Sequence, residues 1–140
     1  MNMCSVELEC EERFNAAPEL TKEKLENAVK VAINKLEKNL NKFYDHFPGT
    51  CSVNFKYEPQ NGINWESGML TGSYLLAYQL TGDKKYLEIC ENHVEIYARY
   101  AEKNKELNDH DTGFIFIPSC VAMYKITGSE KSKNCGIKSR

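Results

Sequence analysis

Tyr78-Gln79-Leu80-Thr81-Gly82-Asp83-Lys84-Lys85 aligns with Tyr124-Lys125-Ile126-Thr127-Gly128-Ser129-Glu130-Lys131, at an offset of 46 residues. Each copy closes an apolar segment, turns at Thr-Gly, and opens an amphipathic segment with a charged start. A repeat of that length holding two helices describes an α-hairpin. The glycine suits a helix C-terminus, where a left-handed residue often ends the hydrogen-bond ladder.

Working outward, the upstream apolar segment predicts a helix over about 66–81, with Met69, Leu70, Tyr74, Leu75, Tyr78 and Leu80. It is apolar on nearly all sides, as a helix buried from several directions would be. The following helix, about 83–103, carries its stripe on Tyr86, Leu87, Ile89, Cys90, His93, Val94, Ile96, Tyr97 and Tyr100. After a polar loop from Lys105 to Thr112, a second buried helix is expected over about 114–127. Residues 130–140 read as the first turns of another. Alternating buried and amphipathic helices predict an all-α fold of hairpin repeats, either a solenoid or a closed α/α toroid.

Upstream, Thr21 is a plausible N-cap for a long first helix. Leu25, Ala28, Val29, Ala32, Ile33, Leu36, Leu40, Phe43, Tyr44 and Phe47 form one stripe, and Pro48-Gly49 ends it. Residues 49–64 are expected to form a loop, and 1–20 an acidic leader before a domain spanning 21–140.

Composition excludes several classes. The chain has 140 residues, 41% hydrophobic and 11% aromatic, enough to bury a core. Its net charge is −2, with no basic block of the kind nucleic-acid binding requires. No stretch reaches the ~20 apolar residues of a membrane span. The start, MNMCSVELECEERF, has no apolar run suited to a signal peptide, so a cytoplasmic location is expected. Cys4, Cys10, Cys51, Cys90, Cys120 and Cys135 are scattered without a C-x-x-C pair. Neither a metal nor a cofactor is expected, and the cysteines read as free thiols, Cys90 and Cys120 as small buried hydrophobes.

The chemistry concentrates in Asp109-His110-Asp111-Thr112-Gly113-Phe114. Two carboxylates flanking an imidazole suit acid–base work or a metal. They equally suit helix capping, with Asp111 accepting N–H bonds from the next helix. Trp65, the single tryptophan, opens the second helix; in a toroid it lies at the same end of the inner helices as Asp111. It could stack on a sugar ring or serve as a rim aromatic. His93 reads as a hydrogen-bonded core histidine, and the tyrosine stripe as packing.

Asn64-Trp65-Glu66-Ser67-Gly68-Met69 with Thr71-Gly72, the Tyr78–Asp83 turn, and Asp109–Phe114 together resemble the unsaturated glucuronyl hydrolases of glycoside hydrolase family 88. The helix ending Asn41-Lys42-Phe43-Tyr44-Asp45-His46-Phe47-Pro48 is also similar, so the resemblance covers about residues 22–135. It implies an (α/α)6 toroid, present here as an incomplete N-terminal portion of about two hairpins in six. It implies a cytosolic enzyme of polysaccharide breakdown acting on unsaturated uronate-containing oligosaccharides left by lyases. Such an enzyme hydrates the C4=C5 bond of the terminal sugar rather than attacking the anomeric carbon.

By the same resemblance Asp111 matches one of two essential aspartates, Trp65 and His110 match substrate-contacting residues, and Asp109 is supporting. The second aspartate lies downstream in the family, and this sequence has no Asp after Asp111. The later site histidines, tryptophans and arginine are missing too. The expectation is therefore an inactive truncated fragment, self-associating or completed by a C-terminal piece. An unsaturated rhamnogalacturonyl hydrolase relative and a non-catalytic helical-repeat module binding sugar or protein are the alternatives.

Overall fold

The computed structural model describes Glu12, residues 20–103 and residues 111–138. Ile33–Arg140 forms one compact unit, and Met1–Ala32 belongs to another, with the first helix crossing the boundary. That helix, α1, spans Lys22–Asn39. As expected, Thr21 caps it: its Oγ1 accepts the Lys24 N–H at 3.3 Å. It stops well before the predicted Pro48. The Asn39 side chain donates to the Lys35 carbonyl at 3.0 Å, and the Leu40 N–H turns back to Glu37, three residues away. A local side-chain bond thus competes with the ladder, and the helical stripe beyond Leu40 is not helical.

The expected 49–64 loop contains a small antiparallel ribbon. Strand β1 (Phe47–Pro48) pairs with β2 (Pro59–Gln60), Phe47 opposite Gln60. Each strand is two residues long, too short for alternation to show in the sequence. Among the described residues the other regular elements are helices, and the link from Leu40 to Asn64 outside the ribbon is turns and irregular chain.

Two hairpins follow. Helix α2 (Trp65–Thr81) leads through Gly82 into α3 (Lys84–Lys103). Helix α4 (Thr112–Phe116) continues through a π-helical turn at Ile117–Val121 into α5 (Ala122–Thr127), and Gly128 leads into α6 (Glu130–Lys138). The interruption was not expected in a helix read as continuous. Pro118 explains it: proline has no N–H, so the local ladder loses a donor, and the Ala122 N–H reaches back to the Ile117 carbonyl.

The 46-residue repeat is reproduced bond for bond at the two turns. Gly82 and Gly128 have φ of 72° and 74°. Their N–H groups donate to the Tyr78 and Tyr124 carbonyls at 2.7 and 2.8 Å. Thr81 Oγ1 donates to Ala77 O and accepts the Asp83 N–H; Thr127 Oγ1 donates to Met123 O and accepts the Ser129 N–H. The threonine therefore closes the outgoing helix and holds the first residue of the return. Asp83 Oδ1 then accepts the Lys85 N–H and Ser129 Oγ the Ser132 N–H, starting α3 and α6.

Inner helices α2 and α4–α5 lie side by side, and outer helices α3 and α6 lie against each other. The contact between inner helices is backbone on backbone. A Cβ on Gly68 would meet the Phe114 and Ile115 carbonyls and come within 2.7 Å of Ile115 Cα. A Cβ on Gly72 would come within 3.0 Å of Pro118. Gly68 faces residues 114–115 and Gly72 faces 118, so the two helices run parallel and in register.

The core is aromatic. Tyr74, Tyr86, Tyr97, Phe47 and Phe116 are buried, with Tyr74 over Tyr86 at 6.4 Å and Phe47 over Tyr97 at 5.3 Å between ring centres. The tyrosines at 74, 86 and 97 are thus packing, as expected. Cys90 and Cys120 are also fully buried, and burial pushes the Cys90 thiol up.

The two kinds of glycine should respond differently to alanine. Gly68→Ala drives a methyl group into a neighbouring backbone and is expected to cost about 3 kcal/mol, the upper end for overpacking. Gly82→Ala has open space but a left-handed backbone, and should cost about 1 kcal/mol. Urea unfolding of both variants checks this ordering; equal losses would contradict the contact.

Candidate functional site

The parallel register decides what meets at the N-terminal end of the inner helices. Trp65 is the first residue of α2, three before Gly68; Asp111 precedes α4, three before Phe114. Both lie at one end, as expected for a toroid. The backbone beside Trp65 is fixed by Asn64 and Ser67. The Asn64 N–H donates to Ser67 Oγ at 3.2 Å, and that hydroxyl donates to Asn64 Oδ1 at 3.0 Å. The box closes the start of the helix and leaves the Trp65 side chain 42% exposed.

Asp111 is half-buried, with its backbone already helical at φ −74°. Its carbonyl accepts the Phe114 and Ile115 N–H groups at 2.9 and 3.2 Å. Its side chain makes no capping bond to α4. The capping reading fails in this respect: the main chain does the capping, and the carboxylate is not consumed by it. Asp109 and His110 lie outside the described residues.

Two features escaped the sequence reading. Both carboxylate oxygens of Glu66, the residue after Trp65, are buried and have no hydrogen-bond partner among the described residues. The second feature is a basic, aromatic cleft beside the ribbon, lined by Lys35, Lys42, Lys56, Phe55 and Tyr57 among others. Its lysines are distant in sequence, so no basic block announced it.

Behind Trp65, α2 is tied to its hairpin partner and to the α1–β1 link by a buried network. Thr71 Oγ1 lies 2.8 Å from His93 Nδ1 and 2.7 Å from the Tyr97 hydroxyl, and His93 Nε2 donates to the Phe43 carbonyl at 2.8 Å. Since a carbonyl only accepts, Nε2 carries the proton in the neutral ring, and Nδ1 accepts from Thr71. Tyr97 then donates to Thr71. His93 is the hydrogen-bonded core histidine expected, not a ligand. Burial is the main cause pushing its pKa down, to about 4, against the opposing pull of the Phe43 carbonyl and Asp45.

Residues 35–140 match the model for glycosyl hydrolase family 88. The chain belongs to this family. Among family-88 relatives, an unsaturated chondroitin disaccharide hydrolase of Streptococcus pneumoniae is 34% identical over 127 residues, which are 91% of this chain and 32% of that protein. An unsaturated glucuronyl hydrolase of Bacillus sp. strain GL1 is 27% identical over 112 residues, 80% of this chain and 30% of that one. The solved structure of an unsaturated glucuronyl hydrolase from Streptococcus agalactiae superposes with a TM-score of 0.83 at 31% identity, covering 96% of this chain and 36% of that one. A variant of that enzyme was solved in complex with dGlcA-GalNAc6S; it too superposes at 0.83, with 32% identity. The family-88 chain therefore spans about a third of the length of the relatives it matches. Its architecture is that of hairpin repeats from an (α/α)6 toroid.

Stability of this family-88 chain should depend on pH through His93. Above the ordinary histidine pKa of about 6.5 both folded and unfolded states hold it neutral. As pH falls from there, the unfolded chain binds a proton that the folded chain refuses until about pH 4. Stability should thus fall toward acid, by up to about 3 kcal/mol across that window. Urea midpoints measured over this range should drop in the parent chain and drop less steeply in His93→Gln. A parent whose midpoint is flat would contradict a neutral, buried His93.

Proposed function

We propose that this chain builds one wall of the active site of an unsaturated uronyl hydrolase. Trp65 takes the apolar face of the terminal sugar, and the Asp111 carboxyl group faces its ring hydroxyls. His110 contacts the same sugar and Asp109 supports the loop. The observation that carries this reading is the Gly68–Gly72 register, which sets an exposed tryptophan and an uncommitted-to-capping aspartate at one end of two parallel inner helices.

The reaction adds one water across C4=C5 of an unsaturated uronate. A carboxylic acid gives its proton to C4, water oxygen bonds to C5, and the carboxylate takes the proton from that water. The hemiketal formed then opens, releasing a keto-uronate and a shortened saccharide. Asp111 stabilises and orients, while proton transfer needs a second carboxyl group. No aspartate follows Asp111 within these 140 residues, so in this reading the stretch supplies binding, and the proton comes from a carboxyl group outside it, in further chain or in a complementing partner. Exposed Ile117 and Ile137, beside a groove of about 420 Å3 between α4–α5 and α6, give such a partner or a second copy apolar surface to cover. The substrate class is an unsaturated disaccharide of glycosaminoglycan type, a reading supported by the similarity to unsaturated chondroitin disaccharide hydrolases. A cytoplasmic site of action is consistent with the absence, among the described residues, of any helix long and apolar enough to cross a membrane.

Titration with an unsaturated chondroitin disaccharide tests both halves. Fluorescence of Trp65 should change saturably, and Asp111→Asn should weaken binding by about tenfold, the loss of one good hydrogen bond to a charged group. The near-UV absorbance of the C4=C5 bond should stay constant with the 140-residue chain alone. No fluorescence response would refute the wall; steady loss of absorbance would refute the need for a second carboxyl group.

A further inference from the structure

The ribbon that follows α1 encloses a second, tighter turn at its far end. The Val53 N–H donates to Lys56 O at 2.8 Å, and the Lys56 N–H returns to Val53 O at 3.0 Å. They enclose a two-residue turn, Asn54-Phe55, with φ of 51° and 61°. This is the hairpin turn with both central residues left-handed, which ordinarily takes Asn or Asp followed by Gly. Asn54 fits. Phe55 does not: a bulky side chain is disfavoured in that region. Nor is it compensated by burial, because the Phe55 side chain is 99% exposed. A strained backbone presenting a bare aromatic ring is the pattern of a contact residue held ready for a partner.

Beside the ring lies a cleft of about 260 Å3. Lys35, Lys42 and Lys56 contribute three positive charges to it, Phe43 and Tyr57 two further aromatic rings, and Asn39 an amide; none of its lining residues is acidic. The acid on its rim is Glu58, 3.6 Å from the Lys42 ammonium. Exposed aromatic faces beside ammonium groups suit a ligand that has both C–H faces and negative charge. A sugar ring with a carboxylate or sulfate has both. The surface is concave, which favours a discrete ligand over a flat lipid surface.

We propose that the Asn54-Phe55 turn and Lys35, Lys42 and Lys56 form a binding site for a uronate- or sulfate-bearing saccharide, lined by none of the residues placed at the Trp65–Asp111 end. It needs no C4=C5 bond in its ligand. It would hold the charged body of a longer oligosaccharide or a second chain of it.

A saturated chondroitin 6-sulfate oligosaccharide, which lacks that bond, is the probe, followed by calorimetry or by amide NMR shifts. The parent chain should bind it, and more weakly as salt rises, because the contacts are between exposed charges. Phe55→Gly should lower affinity by about tenfold while thermal stability holds or rises, since glycine relieves the left-handed strain. Lys35→Gln with Lys56→Gln should lower affinity and flatten the salt dependence, and Asp111→Asn should leave affinity within about twofold. Absence of binding, Phe55→Gly binding like the parent, or loss of binding in Asp111→Asn would each overturn the proposal. So would co-sedimentation of the parent, but not Phe55→Gly, with phosphatidylserine vesicles when the saccharide does not bind, which would make the turn a lipid contact.

Discussion

The close approach of α2 to the Phe114–Pro118 backbone is the constraint on which the rest depends. Gly68 and Gly72 leave no Cβ between the two inner helices, and the neighbour they admit is main chain, which cannot rotate aside as a side chain could. Register follows from this. With Gly68 against residues 114–115, the first residue of α2 and the residue before α4 are carried to the same end. The Trp-x-x-Gly-x-x-x-Gly spacing is thus a packing device before it is a chemical one: the tryptophan is positioned by the glycines that follow it.

A second constraint holds the inner helix from behind. Thr71 lies between the two glycines, on a helix face that turns to α3, where it meets His93 and Tyr97; His93 reaches on to the Phe43 carbonyl. Three segments distant in sequence are tied through one hydroxyl and one imidazole. Buried polar networks of this kind specify a single arrangement because each unmade bond is costly. The repeated Thr-Gly turns set the return path of each outer helix. Together these features determine where the open end of the inner helices lies, and the Trp65 side chain there is left partly exposed by the packing.

Much of this was legible in the residues. The Thr-Gly repeat disclosed the hairpins because a left-handed glycine and a threonine bonding back one turn are local devices, complete within a few residues. The core role of His93 followed from periodicity; α2, read as buried from several directions, instead leaves Met69, Leu76 and Leu80 exposed. The parts that were not legible are those set by pairs distant in the chain. The end of α1 depended on an Asn39 side chain competing with the ladder, against a stripe that continued unbroken to Phe47. The ribbon depended on the pairing of two-residue strands. The Phe55 cleft gathers lysines from α1, from the link after it and from the turn, so neither net charge nor any run of basic residues disclosed it. Pro118 stood in plain view, yet a helical pattern on both sides concealed that the chain passes it by a π-helical turn rather than by ending. For the proposed site, the placement of Trp65 and Asp111 at one end of the inner helices was readable, whereas its cause, the backbone contact at Gly68, emerged only from the fold.

The most direct test of the shared end is residue-resolved. In a 1H–15N NMR titration with an unsaturated chondroitin disaccharide, the Trp65 indole N–H and the backbone amides of Thr112, Gly113 and Phe114 should shift together and report one dissociation constant. Shifts at Trp65 that leave residues 112–114 unmoved, or two different constants, would contradict a single binding end assembled by the two inner helices.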